Sequence, residues 1–257
     1  QLLLLRSIMP PPKFKQVVHV ERVMEIRDIV EATGTADVDT LEEIEILFGN
    51  FSEIGGLEHC KNLISLTLIN CGLNRLGGLT PVSMTLERLC LCDQKISRIE
   101  GLRGLPCLRE LLLHQNAITA IEGLDGCPRL QRLWLWSNKI ARIEGLSNCG
   151  ELRELCLQSN RIARIGGLGG LVHLEALALA DNRVSEHRDL SRLANLPALK
   201  ELSFRDVHFG ACPVCGVDDY RASALLALPQ LAILDGLEVG PTERATARSA
   251  HLDKALT

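Results

Sequence analysis

A repeat of 22 residues runs through most of this chain and constrains its fold more than any other feature. With Leu108 taken as position 1, apolar residues stand at positions 1, 4, 6, 11, 14 and 17, and an asparagine stands at position 9. The same pattern starts again at Leu130, Leu152 and Leu174, each 22 residues after the last. A repeat this short cannot bury its own apolar residues, so neighbouring copies must stack into a solenoid with a shared core.

The register extends in both directions and gives eight repeats across residues 41–210. Leu41, Leu63 and Leu86 begin the upstream copies, and Leu199 begins the last one. In a short strand at positions 3–7, side chains 4 and 6 enter the core while 5 and 7 face solvent on the inner curve. The polar side chains at position 9 should bond neighbouring backbone groups and form a ladder. We therefore predict an α/β solenoid, a curved horseshoe with a parallel sheet on its concave face and short helical or 3₁₀ segments on its convex face.

The flanking segments are predicted to form the ends of the solenoid. Residues 1–40 are interpreted as an N-terminal tail with a capping helix over residues 17–31, where apolar residues have helical spacing. Residues 211–240 are expected to form a C-terminal cap, with a helix over residues 220–228 that stops before Pro229. Residues 241–257 should start a linker or a polar helix. Because the chain begins with Gln1, we expect it to be a fragment of a longer protein.

The composition argues against several classes of function. A formal net charge of −4 disfavours nucleic-acid binding, which needs an excess of clustered Lys and Arg. No apolar run approaches the roughly 18 residues that span a membrane, and the run at residues 2–5 is too short for a signal peptide. The ten cysteines fall mostly on repeat positions, which indicates reduced thiols and a cytoplasmic location. Since catalytic groupings and phosphate-binding motifs are missing from the sequence, we expect no enzymatic activity, no catalytic residues and no cofactor.

The only two tryptophans, Trp134 and Trp136, occupy positions 5 and 7 of one repeat. Both should point out of the concave face, and tryptophan is enriched where proteins bind one another. Neighbouring residues of the same two columns are mostly uncharged, with charges beside them, as in an interface with an apolar centre and a polar rim. The predicted partner-binding residues are Trp134, Trp136, Leu112, His114, Cys156, Gln158, Cys90 and Cys92. The alternative is that long neighbours such as Arg132 or Arg153 cover the tryptophans.

Two further patterns favour simpler explanations. Cys212 and Cys215 form a CxxC pair, but a structural zinc site needs four ligands and no second pair lies nearby. We therefore favour an ordinary loop over a zinc or redox site and predict no metal. Arginines recur at position 13 and glutamates at position 15. We interpret these stripes as a solvated outer face, the alternative being a second binding edge for an acidic tail or tubulin.

The tetrapeptide IEGL at residues 99–102, 121–124 and 143–146 resembles the leucine-rich-repeat class that includes the nuclear regulatory subunit of protein phosphatase 1. The closing segment around Tyr220 and Pro229 looks like the cap that ends many members of that class. The resemblance implies a protein-protein interaction scaffold that binds its partner through concave aromatic and acidic residues. It also implies a regulatory subunit of a protein phosphatase as an alternative function, with the catalytic subunit as partner.

Three stretches resemble the N-terminal array of the leucine-rich repeat-containing protein 9 family. They are LEEIEILFGNFSEIGGL at 41–57, LANLPALKELSF at 193–204 and PVC at 213–215. Because that family occurs in ciliated organisms, the resemblance implies a ciliary location and a structural role among axonemal proteins. The chain departs from the family at Ala211 and Cys212, where a residue and an asparagine usually precede the proline, so we expect the loop around Pro213 to differ.

Overall fold

Eight parallel strands, one from each repeat, form the inner face of the solenoid in the computed structural model, which describes residues 22–256. Each strand pairs with the strand of the next repeat along the chain. The strands are β1 (Glu43–Leu47), β2 (Ser65–Ile69), β3 (Arg88–Cys92), β4 (Glu110–Leu112), β5 (Arg132–Trp134), β6 (Glu154–Cys156), β7 (Ala176–Ala178) and β8 (Glu201–Ser203). The predicted parallel-sheet solenoid is therefore confirmed.

Equivalent leucines stand side by side in this sheet. Leu111 is opposite Leu133, which in turn is opposite Leu155. Side chains at positions 4 and 6 enter the core, where Leu133 and Leu135 are fully buried. Each such leucine gains about 1.5–3 kcal/mol from its removal from water. A one-residue shift of register would expose this core, so the sheet has one stable alignment.

A ladder of buried amides links each coil to the one before it. Asn138 donates from Nδ2 to the carbonyls of Leu113 and Leu135, both at 3.0 Å, and its Oδ1 accepts the N–H of Ile118 at 2.9 Å. The other members are Asn116, Asn160, Asn182 and, at its N-terminal end, Gln94. The predicted position-9 side chains therefore hold successive coils in a fixed spacing.

The convex side consists of short segments that pass close to one another. A 3₁₀ helix at Thr80–Val82, a helix α2 at Arg188–Ser191 and a 3₁₀ turn at Arg192–Asn195 occur here. Other coils use successive turns, such as the one in which the N–H of Cys127 bonds the carbonyl of Leu124 at 3.0 Å. The glycine of the IEGL motif makes the close approach possible. At Gly145, φ is +71° and a Cβ atom would lie 2.1 Å from the carbonyl oxygen of Ile121.

The eighth coil carries a hairpin that sequence reasoning missed. After Phe204 the chain forms two short antiparallel strands, β9 (Arg205–Asp206) and β10 (Gly210–Ala211). Asp206 Oδ1 accepts the N–H groups of His208 and Phe209, at 2.7 and 3.3 Å, and so fixes the turn between the strands. The hairpin brings Phe209 to the concave face.

Cys212 continues the amide ladder after the hairpin. Its Sγ donates a hydrogen bond to the carbonyl oxygen of Leu179 at 3.0 Å. The same oxygen accepts a hydrogen bond from Nδ2 of Asn182. The thiol therefore lies where the asparagine of the next coil would donate. A 3₁₀ turn at Pro213–Gly216 follows.

The C-terminal segment covers the last coil. Strand β11 (Ile233–Leu234) pairs with β8 in parallel, and β12 (Leu237–Glu238) returns antiparallel and ends the sheet. Helix α3 (Tyr220–Ala227) precedes these strands, and helix α4 (Pro241–Leu256) packs on α3. Arg221 joins the two helices through its ion pair with Glu243. The last segment, for which a linker or a helix was expected, is thus a helix.

Helix α1 (Ile26–Thr33) packs against β1 at the N-terminal end. The predicted helix over residues 17–31 was placed too early, since Val23 forms a parallel bridge with Glu53 and the helix begins after Glu25. Asp28 sets this start because its carboxylate accepts the N–H of Glu25 at 2.7 Å. Residues 17–21 lie outside the described residues.

Candidate partner-binding surface

The side chains at positions 5 and 7 project from the concave face and form two columns that cross the strands. Trp134 and Trp136 stand in the middle of these columns and are both half-buried. Beside them lie Leu112, Cys156 and Gln158, which are also half-buried. We call the group of Leu112, His114, Trp134 and Trp136 the aromatic patch.

Trp136 is held between two rings. Its indole stacks on the His114 imidazole with 4.1 Å between ring centroids and 14° between the planes. On another side it meets Phe209 of the β9–β10 hairpin edge to face, at 5.5 Å and 63°. Such aromatic pairs contribute about 0.5–1.5 kcal/mol each beyond the area they bury. The indole is therefore fixed in one orientation while part of its surface remains open.

Trp134 is fixed by a hydrogen bond at its polar atom. Its Nε1 donates to Glu154 Oε1 at 2.8 Å, and the His114 ring lies 6.1 Å away at a tilt of 48°. Arg132 and Arg153, the long neighbours of the tryptophans, pair with Glu110 and Glu175. The rings that contact the tryptophans are those of His114 and Phe209.

Three of the predicted site residues are buried, although solvent exposure was expected at these positions. His114 is 8% exposed, Cys90 6% and Cys92 2%. The three side chains do point out of the sheet, but they pack on one another, with Cys92 Sγ at 3.2 Å from both Cys90 Sγ and His114 Nδ1. The His114 ring in turn stacks on Trp136. Burial lowers the pKa of His114 to about 4, so this imidazole is neutral at neutral pH.

Paired charges line one side of the aromatic patch. Glu110 forms ion pairs with Arg88 at 2.9 Å and with Arg132 at 2.8 Å, and each arginine lies on a neighbouring strand. Glu175 likewise forms ion pairs with Arg153 at 2.6 Å and with Lys200 at 3.4 Å. The hydrogen bonds from these two cations lower the pKa of Glu175. Exposed pairs of this kind add little stability. Their main effect is that the charged side chains at the rim of the patch have partners within the chain.

The N-terminal end of the concave face has a different character. Glu43 and Glu45 are exposed on β1, and within residues 22–256 neither forms an ion pair. Leu47 and Phe48, at the end of the same strand, are 48% and 76% exposed. The two columns therefore run from an acidic and apolar end, through the buried thiols, to the tryptophans and Phe209.

The CxxC pair consists of one buried and one half-buried thiol. Cys212 is buried on the carbonyl of Leu179, and Cys215 is half-buried. In the described part of the chain, no group of three or more His, Cys, Asp or Glu side chains is arranged to hold a metal ion. On the outer side, Arg98 and Glu122 form an exposed ion pair at 2.9 Å. Within residues 22–256 no helix has the length and apolar character needed to cross a bilayer.

Phe209 and the exposed Val207 beside it belong to the surface but were absent from the predicted set. They are part of an insertion between positions 6 and 9 of the eighth coil, so the repeat register assigns them no place. The one sign of this insertion in the sequence is the number of residues between Phe204 and Cys212. That number does not indicate which face of the solenoid the inserted residues contact.

Comparisons with known proteins agree with this architecture. A family model described as leucine-rich repeat matches residues 132–255, and a model for two copies of leucine-rich repeats matches residues 108–148. Among solved structures, the chain is similar to internalin C2 from Listeria monocytogenes, with a TM-score of 0.62, 23% identity, and coverage of 81% of this chain and 90% of that one. It is also similar to internalin inlF from the same organism, with a TM-score of 0.59, 20% identity, and coverage of 74% of this chain.

This chain spans 55% of the length of that inlF internalin. No curated protein sequence matches it. The family models and the shared architecture nevertheless agree with the repeat register and with the observed sheet. The chain is therefore built from leucine-rich repeats and has the leucine-rich-repeat solenoid fold.

Proposed function

We propose that this chain is an interaction module that binds a partner protein on its concave face, with Trp134 and Trp136 at the centre of the contact. The observation that carries the proposal is the pair of fixed, partly open indoles in the middle of the concave sheet. Trp is among the residues that most often dominate binding energy when a partner covers them.

The surroundings of the two indoles have the composition of a protein interface. Leu112 and Cys156 extend the apolar centre, and the charged residues beside it form ion pairs within the chain. An apolar centre with a polar rim is typical of protein contacts. Because Glu154 and His114 already hold the tryptophans in place, binding would cost little side-chain entropy.

The charges also define the kind of partner that fits. The charged residues beside the tryptophans already form ion pairs within the chain. The partner therefore needs no charged side chains opposite the tryptophans and should present apolar ones there. Glu43 and Glu45 are unpaired at the N-terminal end of the same face. A partner with a basic residue at the corresponding end would gain from this arrangement.

The resemblances noted from the sequence suggest the first partners to test. A phosphatase catalytic subunit would make the chain a regulatory subunit, and an axonemal protein would make it a structural component of the cilium. Both remain analogies at the level of fold and repeat class. A tagged protein that localises along cilia would favour the second candidate, and co-purification with a phosphatase would favour the first.

Proximity labelling in cells tests the interaction surface directly. The baits are the wild-type chain, Trp136→Ala and, as a matched control, Met84→Ala, whose side chain is 70% exposed away from the two columns. We expect a set of proteins labelled by the wild type and Met84→Ala baits that Trp136→Ala loses. Equal labelling by all three baits, with Trp136→Ala folded, would contradict the concave site.

A further inference from the structure

Strand β1 is an open edge of the concave sheet. At the C-terminal end of the sheet the chain folds back, and the two-residue strand β12 covers β11. At the N-terminal end no strand of residues 22–256 lies beyond β1, which has five residues, as many as any strand of the sheet. Proteins usually keep such edges short or cover them, because an uncovered edge is a template for pairing with another chain.

Alternate residues of β1 direct their backbone groups to the open side. Phe48 donates its N–H to the carbonyl of Ile69 on β2 at 2.9 Å. Since the backbone direction alternates along a strand, Glu43, Glu45 and Leu47 point their N–H and C=O groups away from β2. Among the described residues, no backbone group hydrogen-bonds to these three. Three residues of β1 are therefore ready to pair with a further strand.

Helix α1 packs against β1 but does not pair with this edge. In the part of the chain that the structure describes, no backbone hydrogen bond joins the helix to the strand. Ile29 of the helix and Ile44 of the strand are both buried in the core. The concave-facing side chains of β1 stay exposed, so an added strand can place its own side chains beside them.

The exposed side chains along the edge are first acidic and then apolar. Glu43 and Glu45 have no ion-pair partner within residues 22–256. Leu47 follows them on the same face and is 48% exposed. An extended segment beside β1 therefore meets negative charge at two alternate positions and an apolar side chain at the third. The segment that fits carries two basic residues and then an aliphatic one.

Phe48 extends the apolar end of the edge and is an exception among the residues that follow the strands. It has φ of +59°, a conformation that bulky side chains rarely adopt. Its ring is 76% exposed, so it adds little to the core. The equivalent residues of the six following coils also have positive φ but are all polar, namely Asn70, Asp93, Gln115, Ser137, Ser159 and Asp181.

We propose that the open edge of β1 binds an extended segment of a partner protein as a further parallel strand. The segment carries basic residues beside Glu43 and Glu45 and an aliphatic residue beside Leu47. Strands in a sheet lie about 4.8 Å apart, which brings neighbouring side chains of opposite charge together. Backbone hydrogen bonds supply affinity in such strand addition, and alternate side chains supply specificity.

This edge is a different surface from the aromatic patch. Trp134 lies on β5, four strand spacings or about 19 Å from β1. Binding at the edge goes beyond the proposed function and does not require the tryptophans. Trp136→Ala should therefore bind a peptide at the edge like the wild type, even where it loses a partner of the aromatic patch. The two proposals can thus fail separately.

An NMR titration of the full chain with the capped peptide KTKTVV measures binding at the edge. In the parallel register its two lysines lie beside Glu43 and Glu45, and its first valine lies beside Leu47. We expect the amide signals of these three residues to shift as peptide is added. Unchanged β1 signals throughout the titration would overturn the proposal.

Charge reversal tests the match of the side chains. Glu45→Lys should weaken the binding of KTKTVV by roughly tenfold, because an attraction becomes a repulsion. Glu58→Lys is the matched control, since Glu58 is an exposed glutamate outside the strands, and it should bind like the wild type. The peptide ETETVV should in turn bind Glu45→Lys more tightly than the wild type. Equal affinity of KTKTVV for all three chains would contradict the charge match.

Methylation of the peptide backbone tests strand addition itself. In the parallel register the N–H groups of the two threonines donate to β1, and those of the two lysines point away from it. KTKTVV that is N-methylated at both threonines should lose binding, whereas the same peptide N-methylated at both lysines should keep it. The same affinity for both methylated peptides would refute an added strand.

Residues 13–18 of the chain itself, KFKQVV, have the same order of basic and apolar residues and lie outside the described residues. A variant with Lys13→Glu and Lys15→Glu tests whether they compete for the edge. We expect KTKTVV to bind this variant and the wild type equally. Binding by the variant alone would assign the edge to residues 13–18 and overturn the proposal of a partner strand.

Discussion

Replacement of Asn138 by alanine should destabilise the whole array, because this amide joins two coils. The side chain is buried and bonds the carbonyls of Leu113 and Leu135 and the N–H of Ile118. Alanine removes these three hydrogen bonds, and a longer one to the carbonyl of Trp136 at 3.4 Å, without providing another partner. The cost depends on which of these backbone groups keeps a partner from elsewhere in the ladder.

The two carbonyls keep one donor each. Leu113 O also accepts Nδ2 of Asn116, and Leu135 O also accepts Nδ2 of Asn160. The N–H of Ile118 loses its acceptor, and an unsatisfied buried group costs about 1–3 kcal/mol. Two lost hydrogen bonds to carbonyls that remain satisfied add about 0.5–1 kcal/mol each. We therefore expect Asn138→Ala to lose about 2–5 kcal/mol in the free energy of unfolding.

Urea unfolding followed by circular dichroism measures this loss. Asn148→Ala is the matched control, because Asn148 is an exposed asparagine that bonds only the side chain of Asp125, at 2.8 Å. Its free energy of unfolding should change by no more than about 0.5 kcal/mol. A loss below about 1 kcal/mol for Asn138→Ala, or equal losses in the two variants, would refute the ladder as the link between coils.

Three further predictions use the same unfolding assay. Leu133→Ala should lose about 2–5 kcal/mol, and a loss below about 1 kcal/mol would mean that the register is wrong. Gly167→Ala should be clearly destabilising, since φ is +67° and the new Cβ would lie 1.9 Å from a carbonyl oxygen, whereas Gly169→Ala meets nothing within 4 Å; similar losses would refute the close approach. The pKa of His114 is lowered to about 4, so its neutral imidazole contributes fully to the free energy of unfolding above about pH 6.5, the usual pKa of histidine. Below that pH the unfolded chain binds the proton first, and the free energy of unfolding falls by about 1.4 kcal/mol per pH unit towards pH 4. His114→Gln should lack this part of the pH dependence, and an unchanged pH dependence would contradict the burial of the imidazole.

The repeat register could be predicted because stacking imposes the same environment on every coil. Position 20, for example, faces the core in each coil, and Cys60, Cys127 and Cys149 are fully buried there. The strand positions follow from the same rule, since positions 4 and 6 must be apolar wherever a coil stacks on another. The sequence therefore predicted the sheet, the ladder and the faces of the strands.

The packing within the concave face could not be predicted in the same way. Alternation along a strand places His114 and Cys92 on the concave side, but it does not show that they contact each other or that His114 stacks on Trp136. The position of Phe209 depends on a tertiary contact made by an insertion, which no periodic pattern describes. Both differences change which atoms of the candidate site remain open to a partner.

The most direct test of the proposed function is a calorimetric titration of the chain with the protein recovered by proximity labelling. We expect Trp134→Ala and Trp136→Ala each to weaken binding by about 2 kcal/mol or more, roughly 30-fold in Kd. Met84→Ala should bind like the wild type, and circular dichroism should show that all three variants are folded. Wild-type affinity in both tryptophan variants would contradict the concave face as the binding site.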